Sequence, residues 1–304
     1  MTEYDLVIRN GLLVTPEEII KTDLGIQGEL ITAWGSNLEG KKVIDADGLL
    51  VLPGGVDPHV HLQMPTATAV TSDDWKTGSL AAACGGTTTV IDFVEPLPGQ
   101  SMQEALDFRK TEADGSSHLD YALHMTIASA SKETLSQIPE MLREGITSFK
   151  IYTTYNGLKL NYKEIKQVMN AISTVGGLCM VHAEDDETIR AATGKLLEAG
   201  KNSPQWFPFS RPASAEIEAV RQCIEIARES KVLLYVVHLS TSQSIEAISR
   251  ARQDQITILA ETCPQYLLLD KSHMVEASAI DAAGLICSPA LRDPDEKYRI
   301  WNAI

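Results

Sequence analysis

The sequence predicts an α/β fold: a (β/α)8 barrel of the TIM type that lacks its last strand, with a partial small β-sandwich domain at the N-terminus. From about residue 51 onward, apolar strand-like runs alternate with amphipathic helices, which is typical of a parallel sheet. Seven such runs exceed the number in a flavodoxin-like fold, and no G-x-G-x-x-G motif follows the first of them. The first fifty residues instead contain short β-like runs separated by turn signals.

Residues 1–50 are the predicted small β domain, and residues 51–304 the predicted barrel domain. The β-like runs of the first part are DLVIRNGLLV, DLGIQGELITAWG and KVIDADGLLVL, which Asn-Gly, Gln-Gly and Asp-Gly turn signals divide. Three short strands bury too little surface to be stable alone. We therefore expect this part to need additional strands.

The barrel strands are nearly continuous apolar runs, as expected for strands that are buried on both faces. They are predicted over residues 50–61, 87–93, 119–127, 147–152, 178–182, 232–238 and 257–261. Among the intervening helices, one begins with Asn161 as a predicted N-cap and Glu164 three positions later. Its apolar stripe is formed by Ile165, Val168, Met169 and Ile172. A helix-like segment over residues 295–304 is the last predicted element.

The composition excludes several classes of protein. The 304 residues are 44% hydrophobic and 22% charged, which are ordinary globular values. The formal net charge of −15, without a basic stripe, makes a nucleic-acid partner unexpected. Apolar runs are far shorter than the roughly 20 residues of a membrane span. The N-terminal residues begin with an acidic residue after Thr2 and contain no apolar core of a signal peptide. We expect a cytoplasmic protein without a membrane partner, whose five scattered cysteines are reduced and buried.

Histidines lie at the predicted strand ends, which is where a (β/α)8 barrel carries its functional groups. His59 and His61 end the first strand, and their period-two spacing places both imidazoles on one side. Such a pair suits chelation of a divalent metal. His182 and His238 end later strands. Either could singly be a hydrogen-bonded core histidine, but the shared position of all four favours a joint metal site.

Lys150 lies inside the apolar run SFKIY at the end of the fourth strand, where an unpaired ammonium is costly. Two interpretations are open. The amine either reaches the barrel mouth or a carboxylate, or it is neutral and adds CO₂ to form a carbamate. A carbamate is a bidentate anion that can bridge two cations.

The motifs DPHVHL, GGTTTVIDF, SFKIYTTY, VHAED, VVHLS and ETCPQYLLLD together resemble the dihydropyrimidinase/hydantoinase family of the amidohydrolase superfamily, over essentially the whole chain. The resemblance implies two divalent metal ions, zinc in most members. His59 and His61 would bind one ion, His182 and His238 the other, and Lys150, carboxylated at its Nζ atom, would bridge them together with a hydroxide.

The resemblance also assigns roles to two residues for which the surrounding sequence alone indicates no function. Tyr155 would be the catalytic residue that hydrogen-bonds the substrate carbonyl and stabilises the oxyanion, and Ser288 would contact the cyclic amide through its backbone. Without the resemblance, Tyr155 is interpreted as a loop residue and Ser288 as a turn residue before Pro289.

The implied activity is hydrolysis of a cyclic amide by a metal-bridged hydroxide, which opens a dihydropyrimidine or hydantoin ring to an N-carbamoyl amino acid. Gln63 stands where dihydroorotases and allantoinases commonly carry an arginine for an anionic substrate, so a small neutral ring is expected. Lys150 argues against the single-metal deaminases, and the retained ligands argue against the collapsin response mediator proteins. The family also implies a homotetramer.

Two alternatives remain. One is an allantoinase- or dihydroorotase-like cyclic amidohydrolase, and the other is a non-catalytic assembly subunit or short paralogue that kept the metal ligands. The family's proton-shuttling aspartate, at the end of the eighth strand, aligns beyond Ile304, as do the remaining β-sandwich strands. We therefore expect a fragment of a longer protein that is inactive and aggregation-prone alone. Loops over residues 64–71 and 153–160 are expected to set substrate selectivity.

Overall fold

A computed structural model of the protein describes residues 3–66 and 69–304. The described residues divide into two compact units. The first comprises the described part of Met1–Pro58 together with Lys76–Val90 and His118–Asp120. The second comprises the described part of His59–Trp75 together with Ile91–Ser117 and Tyr121–Ile304.

The first unit contains a five-stranded mixed sheet. Its strands are β1 (Tyr4–Val14), β2 (Ile19–Gln27), β3 (Leu30–Gly35), β4 (Gly40–Asp45) and β5 (Leu50–Val51). The order is β3-β2-β1-β4, with β5 also paired to β1. Antiparallel pairing joins β1, β2 and β3, whereas β4 and β5 run parallel to β1. Gly28, at φ +59°, makes the tight turn between β2 and β3 in a conformation that favours glycine.

The second sheet has seven strands in the order of the chain. They are β6 (Gly55–Asp57), β7 (Thr87–Val94), β8 (Asp120–Thr126), β9 (Ser148–Tyr152), β10 (Leu178–His182), β11 (Leu233–Leu239) and β12 (Ile258–Thr262). Every pairing described between them is parallel. This confirms an α/β fold built on a parallel seven-stranded sheet, whose strands bring their carboxyl ends to one edge.

The strand predicted over residues 50–61 is wrong in its bounds. The structure has two short strands there, Leu50–Val51 and Gly55–Asp57, and both His59 and His61 follow the second one. Pro53 and Pro58 explain the interruption, because proline has no backbone N–H to contribute to a sheet.

Helices follow most strands of the second sheet. They are α1 (Trp75–Cys84), α2 (Met102–Ala113), α3 (Lys132–Arg143), α4 (Tyr162–Thr174), α5 (Asp186–Glu198), α6 (Phe207–Ser210), α7 (Ala213–Ser230), α8 (Ser242–Gln253), α9 (Pro264–Leu268), α10 (Ser272–Val275), α11 (Ala279–Ala283) and α12 (Pro294–Trp301), with a 3₁₀ turn at Pro204–Trp206. Among residues 3–66 and 69–304, none of the helices is long and apolar enough to cross a membrane.

Helix α4 begins as its sequence predicts. Asn161 Oδ1 accepts a hydrogen bond from Glu164 N at 3.0 Å, and Glu164 Oε2 accepts one from Asn161 N at 2.8 Å, which is a complete capping box. The predicted apolar stripe from Ile165 to Ile172 is buried. Burial of this stripe supplies most of the stability of a helix that would be marginal in water alone.

All five cysteines lie in the described part of the chain, and none forms a disulfide, as expected. Cys179 and Cys223 are buried. Cys263 and Cys287 are half-buried, and Cys84, the last residue of α1, is exposed, so the expectation of burial is wrong for these three.

Candidate metal centre

The structure brings the five predicted ligands together within the second unit. The ring centroids of His59 and His61 are 5.2 Å apart, those of His59 and His238 5.4 Å, and those of His182 and His238 4.6 Å. Lys150 Nζ lies 3.5 Å from His59 Nε2. The cluster forms because β9, β10 and β11 are neighbours in a parallel sheet and end at the same edge.

A buried arginine–aspartate pair holds the turn that carries the first two histidines. Asp92 Oδ2 accepts a hydrogen bond from the backbone N of Leu62 at 2.8 Å, and Arg109 donates to the carbonyl oxygen of the same residue. Arg109 also donates to Asp92 Oδ1 at 3.0 Å. Both backbone groups of the residue after His61 are therefore bound, which fixes the direction of His59 and His61 although neither lies in a strand.

Glu261, near the end of β12, contacts both histidine pairs. Its Oε1 atom lies 2.5 Å from His59 Nδ1 and accepts a hydrogen bond from the backbone N of His238 at 3.2 Å. Tyr235 donates its hydroxyl to Oε2 at 2.5 Å. Burial alone would raise the pKa of Glu261, but the hydrogen bond with His59 and the others hold it below its ordinary value. An ionised Glu261 requires a proton on His59 Nδ1, which places the lone pair of the neutral imidazole on Nε2.

The second histidine pair is arranged in the same manner around another carboxylate. His182 Nδ1 lies 2.9 Å from His238 Nε2, and His182 Nε2 lies 2.8 Å from Glu184 Oε2. Glu184 is fully buried, and Arg211 donates to the same carboxylate oxygen. This carboxylate keeps the proton on His182 Nε2, so Nδ1 faces His238 with its lone pair.

The turn after β11 that follows His238 is held by Glu216 of α7. Glu216 Oε1 accepts hydrogen bonds from the backbone N of Thr241 at 3.0 Å and from its hydroxyl at 2.6 Å, and Oε2 accepts from the backbone N of Ser240 at 3.1 Å. Arg292 Nε donates to the Ser240 hydroxyl at 2.8 Å. These bonds anchor a backbone in which His238 has φ +40°, a conformation that non-glycine residues rarely adopt.

Burial makes this donor set neutral. It lowers the pKa of His59 to about 4 and that of His61 to about 2, and it also lowers the pKa values of His182 and His238. Neutral imidazole is the form that binds metal ions. The buried Nδ1 atoms of His61 and His238 have no hydrogen-bond partner within the described residues. The set therefore fits soft or borderline divalent cations, of which zinc is the usual one.

Within the described ranges, no three His, Cys, Asp or Glu side chains are placed so that they could hold one metal ion together. Each histidine pair would thus need a ligand of another kind. Lys150 lies beside His59 with its side chain buried, and its Nζ atom is 4.9 Å from the ring centroid of Phe93 and 5.2 Å from that of Tyr152. Burial among these aromatic faces lowers the pKa of Lys150 to about 7.

Tyr155 and Ser288, the two predicted substrate-binding residues, lie next to each other. Burial raises the pKa of Tyr155, the neighbouring Arg211 and Ser288 side chains partly offset this effect, and the Tyr155 ring centroid is 4.9 Å from that of His182. Tyr155 has φ +77°, so the loop after β9 is bent sharply at this residue.

Apolar side chains dominate a cavity of about 490 Å³ that adjoins the cluster. Phe93 belongs to both, because it lines the cavity and stacks on His61 with ring centroids 4.7 Å apart. The other apolar lining residues are Met64, Pro65, Val70, Val94, Leu97, Ala105 and Phe108. Two residues of the predicted selectivity loop 64–71, Ala67 and Thr68, lie outside the described residues.

Sequence reasoning missed the three residues that bind the histidine side chains or Tyr155. Glu261 and Glu184 could have been found, because the first ends the predicted strand over 257–261 and the second stands two residues after His182. Arg211 lies in a loop before α7 and contacts Glu184 across 27 positions of sequence, so it had no local signal.

The fold and site define an α/β protein with a histidine–lysine cluster at the carboxyl ends of a parallel sheet. A family model described as dihydro-orotase-like matches residues 48–244, and the chain belongs to this family. It is 38% identical over 302 residues to a D-hydantoinase of Geobacillus stearothermophilus, covering 98% of this chain and 64% of that protein. It is 36% identical over 305 residues to a D-phenylhydantoinase of Escherichia coli O17:K52:H18, covering 98% and 65%.

Comparison with solved structures gives the same result as comparison with these sequences. A crystal structure of D-hydantoinase superposes with a TM-score of 0.94 at 37% identity, covering 98% of this chain and 65% of that one. Dihydropyrimidinase from Brevibacillus agri NCHU1002 gives a TM-score of 0.94 at 36% identity, with the same coverage. The resemblance to the dihydropyrimidinase/hydantoinase family is therefore confirmed, and the chain spans slightly less than two thirds of the length of these relatives.

Proposed function

We propose that the intact protein hydrolyses a small neutral cyclic amide, opening a hydantoin or dihydropyrimidine ring to an N-carbamoyl amino acid. The observation that carries this proposal is the cluster of four neutral imidazoles beside the buried Lys150. The names of the relatives, D-hydantoinase and D-phenylhydantoinase, support it. Gln63, in place of a substrate-binding arginine, supports a ring without a negative charge.

Two divalent cations, preferably zinc, are proposed as cofactors. His59 and His61 would bind one, His182 and His238 the other, and carboxylated Lys150 would bridge them. When bound, the pair of cations would bring the pKa of a water molecule toward neutrality and polarise the ring carbonyl. Glu261 and Glu184 prepare the site by holding the protons of His59 and His182 on the nitrogens that face away from the neighbouring ligands.

The carbamate on Lys150 follows from its surroundings. With its pKa lowered to about 7 by burial, a large fraction of the amine is neutral at neutral pH. The amine nitrogen can form a bond to the carbon of CO₂ while an N–H proton passes to solvent, and the product is an anion with two oxygen donors. It supplies the ligand that each histidine pair requires.

The substrate would be held by Tyr155 and Ser288. The Tyr155 hydroxyl would donate a hydrogen bond to the ring carbonyl and stabilise the negative charge that develops on its oxygen. Ser288, adjacent to that hydroxyl, would bind the cyclic amide through its backbone. The apolar cavity beside Phe93 would receive an apolar substituent of the ring, which agrees with the name of the D-phenylhydantoinase relative.

The barrel, the domain division, the cellular location and the oligomeric state are also proposals. Seven parallel strands in chain order support a (β/α)8 barrel, with residues 1–50 as a small β domain. We propose a cytoplasmic homotetramer without nucleic-acid or membrane partners.

The deciding experiment measures metal content and ring opening together in the intact protein. We expect about two zinc ions per chain, and hydrolysis of hydantoin, dihydrouracil or 5-phenylhydantoin. Two bound ions without ring opening would favour a non-catalytic assembly subunit. Faster hydrolysis of dihydroorotate or allantoin would favour the dihydroorotase- or allantoinase-like alternative. Absence of bound metal would contradict the proposal.

A further inference from the structure

Arg211 connects the second histidine pair to Tyr155. It is buried in the loop between α6 and α7, and its Nη1 atom donates to Glu184 Oε2, the oxygen that binds His182 Nε2. Its guanidinium carbon also lies 5.0 Å from the centroid of the Tyr155 ring, which places the cation over the ring of the proposed carbonyl donor. One side chain thus contacts a carboxylate behind the proposed metal centre and the proposed carbonyl donor.

A guanidinium over a phenol is attracted to the π-electrons of the ring and restricts the ring position. The contact is made to the ring, so the hydroxyl group of Tyr155 keeps its own hydrogen-bonding capacity. A carbonyl oxygen of the bound substrate ring would be an acceptor for its proton.

The guanidinium itself is held rigidly. Its charge is compensated by Glu184, and it lies 5.8 Å from the ring centroid of Phe207 in addition to its contact with Tyr155. The carbonyl oxygen of Arg211 accepts a hydrogen bond from Arg292 Nη1 at 2.5 Å. A lysine at this position would keep the charge but has no planar group that could bond Glu184 and also stack on the Tyr155 ring.

The backbone of the Tyr155 loop is anchored by other residues. Asp186 Oδ1 accepts a hydrogen bond from the Thr154 hydroxyl at 2.9 Å, and Asp186 also forms an ion pair with Lys159. These contacts hold the loop on both sides of Tyr155 without using Arg211. Arg211 instead contacts the ring of Tyr155 itself.

We propose that Arg211 is a positioning residue for the ring-opening reaction, which holds the Tyr155 ring in place so that its hydroxyl donates to the substrate carbonyl. The proposal rests on the proposed function, since it takes Tyr155 as the carbonyl donor. It adds that the side chain that holds Tyr155 also bonds Glu184, the carboxylate that binds His182.

The kinetic test compares Arg211→Lys in the wild-type and Tyr155→Phe backgrounds of the intact, zinc-loaded protein, with Arg211→Gln as a second variant should the first fail to fold. We expect Arg211→Lys to lower kcat about tenfold to hundredfold with an unchanged zinc content, because removing a whole oxyanion donor costs about 10²–10³. In the Tyr155→Phe background, the same change should lower kcat less than about threefold. Arg228→Lys, on the exposed part of α7, is the matched control. Equal losses in both backgrounds would overturn the proposal.

A second readout does not depend on activity. The protein is labelled with 3-fluorotyrosine, and the ¹⁹F resonance of Tyr155 is assigned by its absence in Tyr155→Phe. We expect Arg211→Lys to shift this resonance and Arg228→Lys to leave it unchanged. An unshifted resonance would overturn the positioning role even if the protein opens hydantoin rings. A shifted resonance in a protein that opens no ring would support the positioning of Tyr155 and contradict the proposed function.

Discussion

Glu261 Oε1 lies 2.5 Å from His59 Nδ1, and this contact determines which nitrogen of His59 can bind a metal ion. The carboxylate keeps a proton on Nδ1, so that the Nε2 lone pair faces Lys150 at 3.5 Å. The same oxygen accepts a hydrogen bond from the backbone of His238. A single side chain therefore orients members of both histidine pairs.

Replacement of Glu261 by leucine should weaken zinc binding without abolishing it. The change removes the acceptor that fixes His59, and loss of such a partner typically costs 10–100-fold in metal affinity. Zinc affinity is measured by competition with a chelator. Glu229→Leu, which removes an exposed glutamate paired with Lys166, is the control. An affinity equal to that of wild type would show that Glu261 does not orient the ligand.

Lys150→Ala should abolish ring opening and reduce the zinc content. Each histidine pair would lose the third ligand that no described His, Cys, Asp or Glu supplies. Metal content is measured by mass spectrometry of the purified protein, and ¹³C-bicarbonate should give a carbamate signal in the NMR spectrum of wild type alone. Lys166→Ala, at an exposed position on α4, is the control. Full activity of Lys150→Ala would rule out the carbamate.

The strands and the histidine cluster could be predicted from sequence because both depend on local pattern. Buried parallel strands are apolar runs, and their carboxyl ends meet at one edge, so His182 and His238 could be brought together without coordinates. The first strand was predicted too long because its apolar residues, which continue past Pro53, gave no sign of the break. For the same reason, the position of His59 depends on Leu62 being bound by Asp92 and Arg109 rather than on strand periodicity.

The residues that support the cluster could not be predicted in full, because their contacts are tertiary. Arg211 precedes α7 in a loop without regular pattern, and only the folded chain brings it to Glu184. A buried carboxylate and a buried arginine are also unusual in isolation, and each is tolerated because the other compensates its charge. Pairs of this kind become visible only when burial and distance are known together.

Asp92→Ala should destabilise the protein by about 2–4 kcal/mol, because it removes the buried carboxylate that pairs with Arg109 and accepts the hydrogen bond of Leu62 N, and leaves Glu112 as the remaining carboxylate beside Arg109. The free energy of unfolding is measured by urea denaturation of the intact protein. Asp254→Ala removes an exposed partner of Arg228 and should change the free energy by less than about 1 kcal/mol. Equal small effects of the two substitutions would contradict the importance of the Asp92–Arg109 pair.

Asp270 should make stability dependent on acid pH. Burial alone would raise its pKa, but hydrogen bonds from Lys297 and Ser272 lower it well below the ordinary value of 3.8. A carboxyl group whose pKa is lowered by folding stabilises the native state above its unfolded pKa, and this contribution is lost as the pH falls below that value.

The expected observation is a fall in the melting temperature of wild type as the pH is lowered from about 5 to 3, with a shallower fall in Asp270→Asn. The variant should also melt at a lower temperature than wild type at pH 7, because Lys297 and Ser272 lose a charged acceptor. Asp254→Asn, at an exposed position, is the control. Parallel pH dependences of wild type and Asp270→Asn would show that this carboxylate does not contribute.

The cavity beside Phe93 should determine the preference for a ring with an apolar substituent. Leu97 and Phe108 line the cavity, and their replacement by serine removes apolar surface that a phenyl group would contact. We expect Leu97→Ser and Phe108→Ser each to lower kcat/KM for 5-phenylhydantoin about fivefold to tenfold relative to unsubstituted hydantoin. Phe209→Ser, which lies outside this cavity, should leave the ratio unchanged. If the ratio is the same in all three variants and wild type, the substituent binds elsewhere, and the cavity has no part in substrate selection.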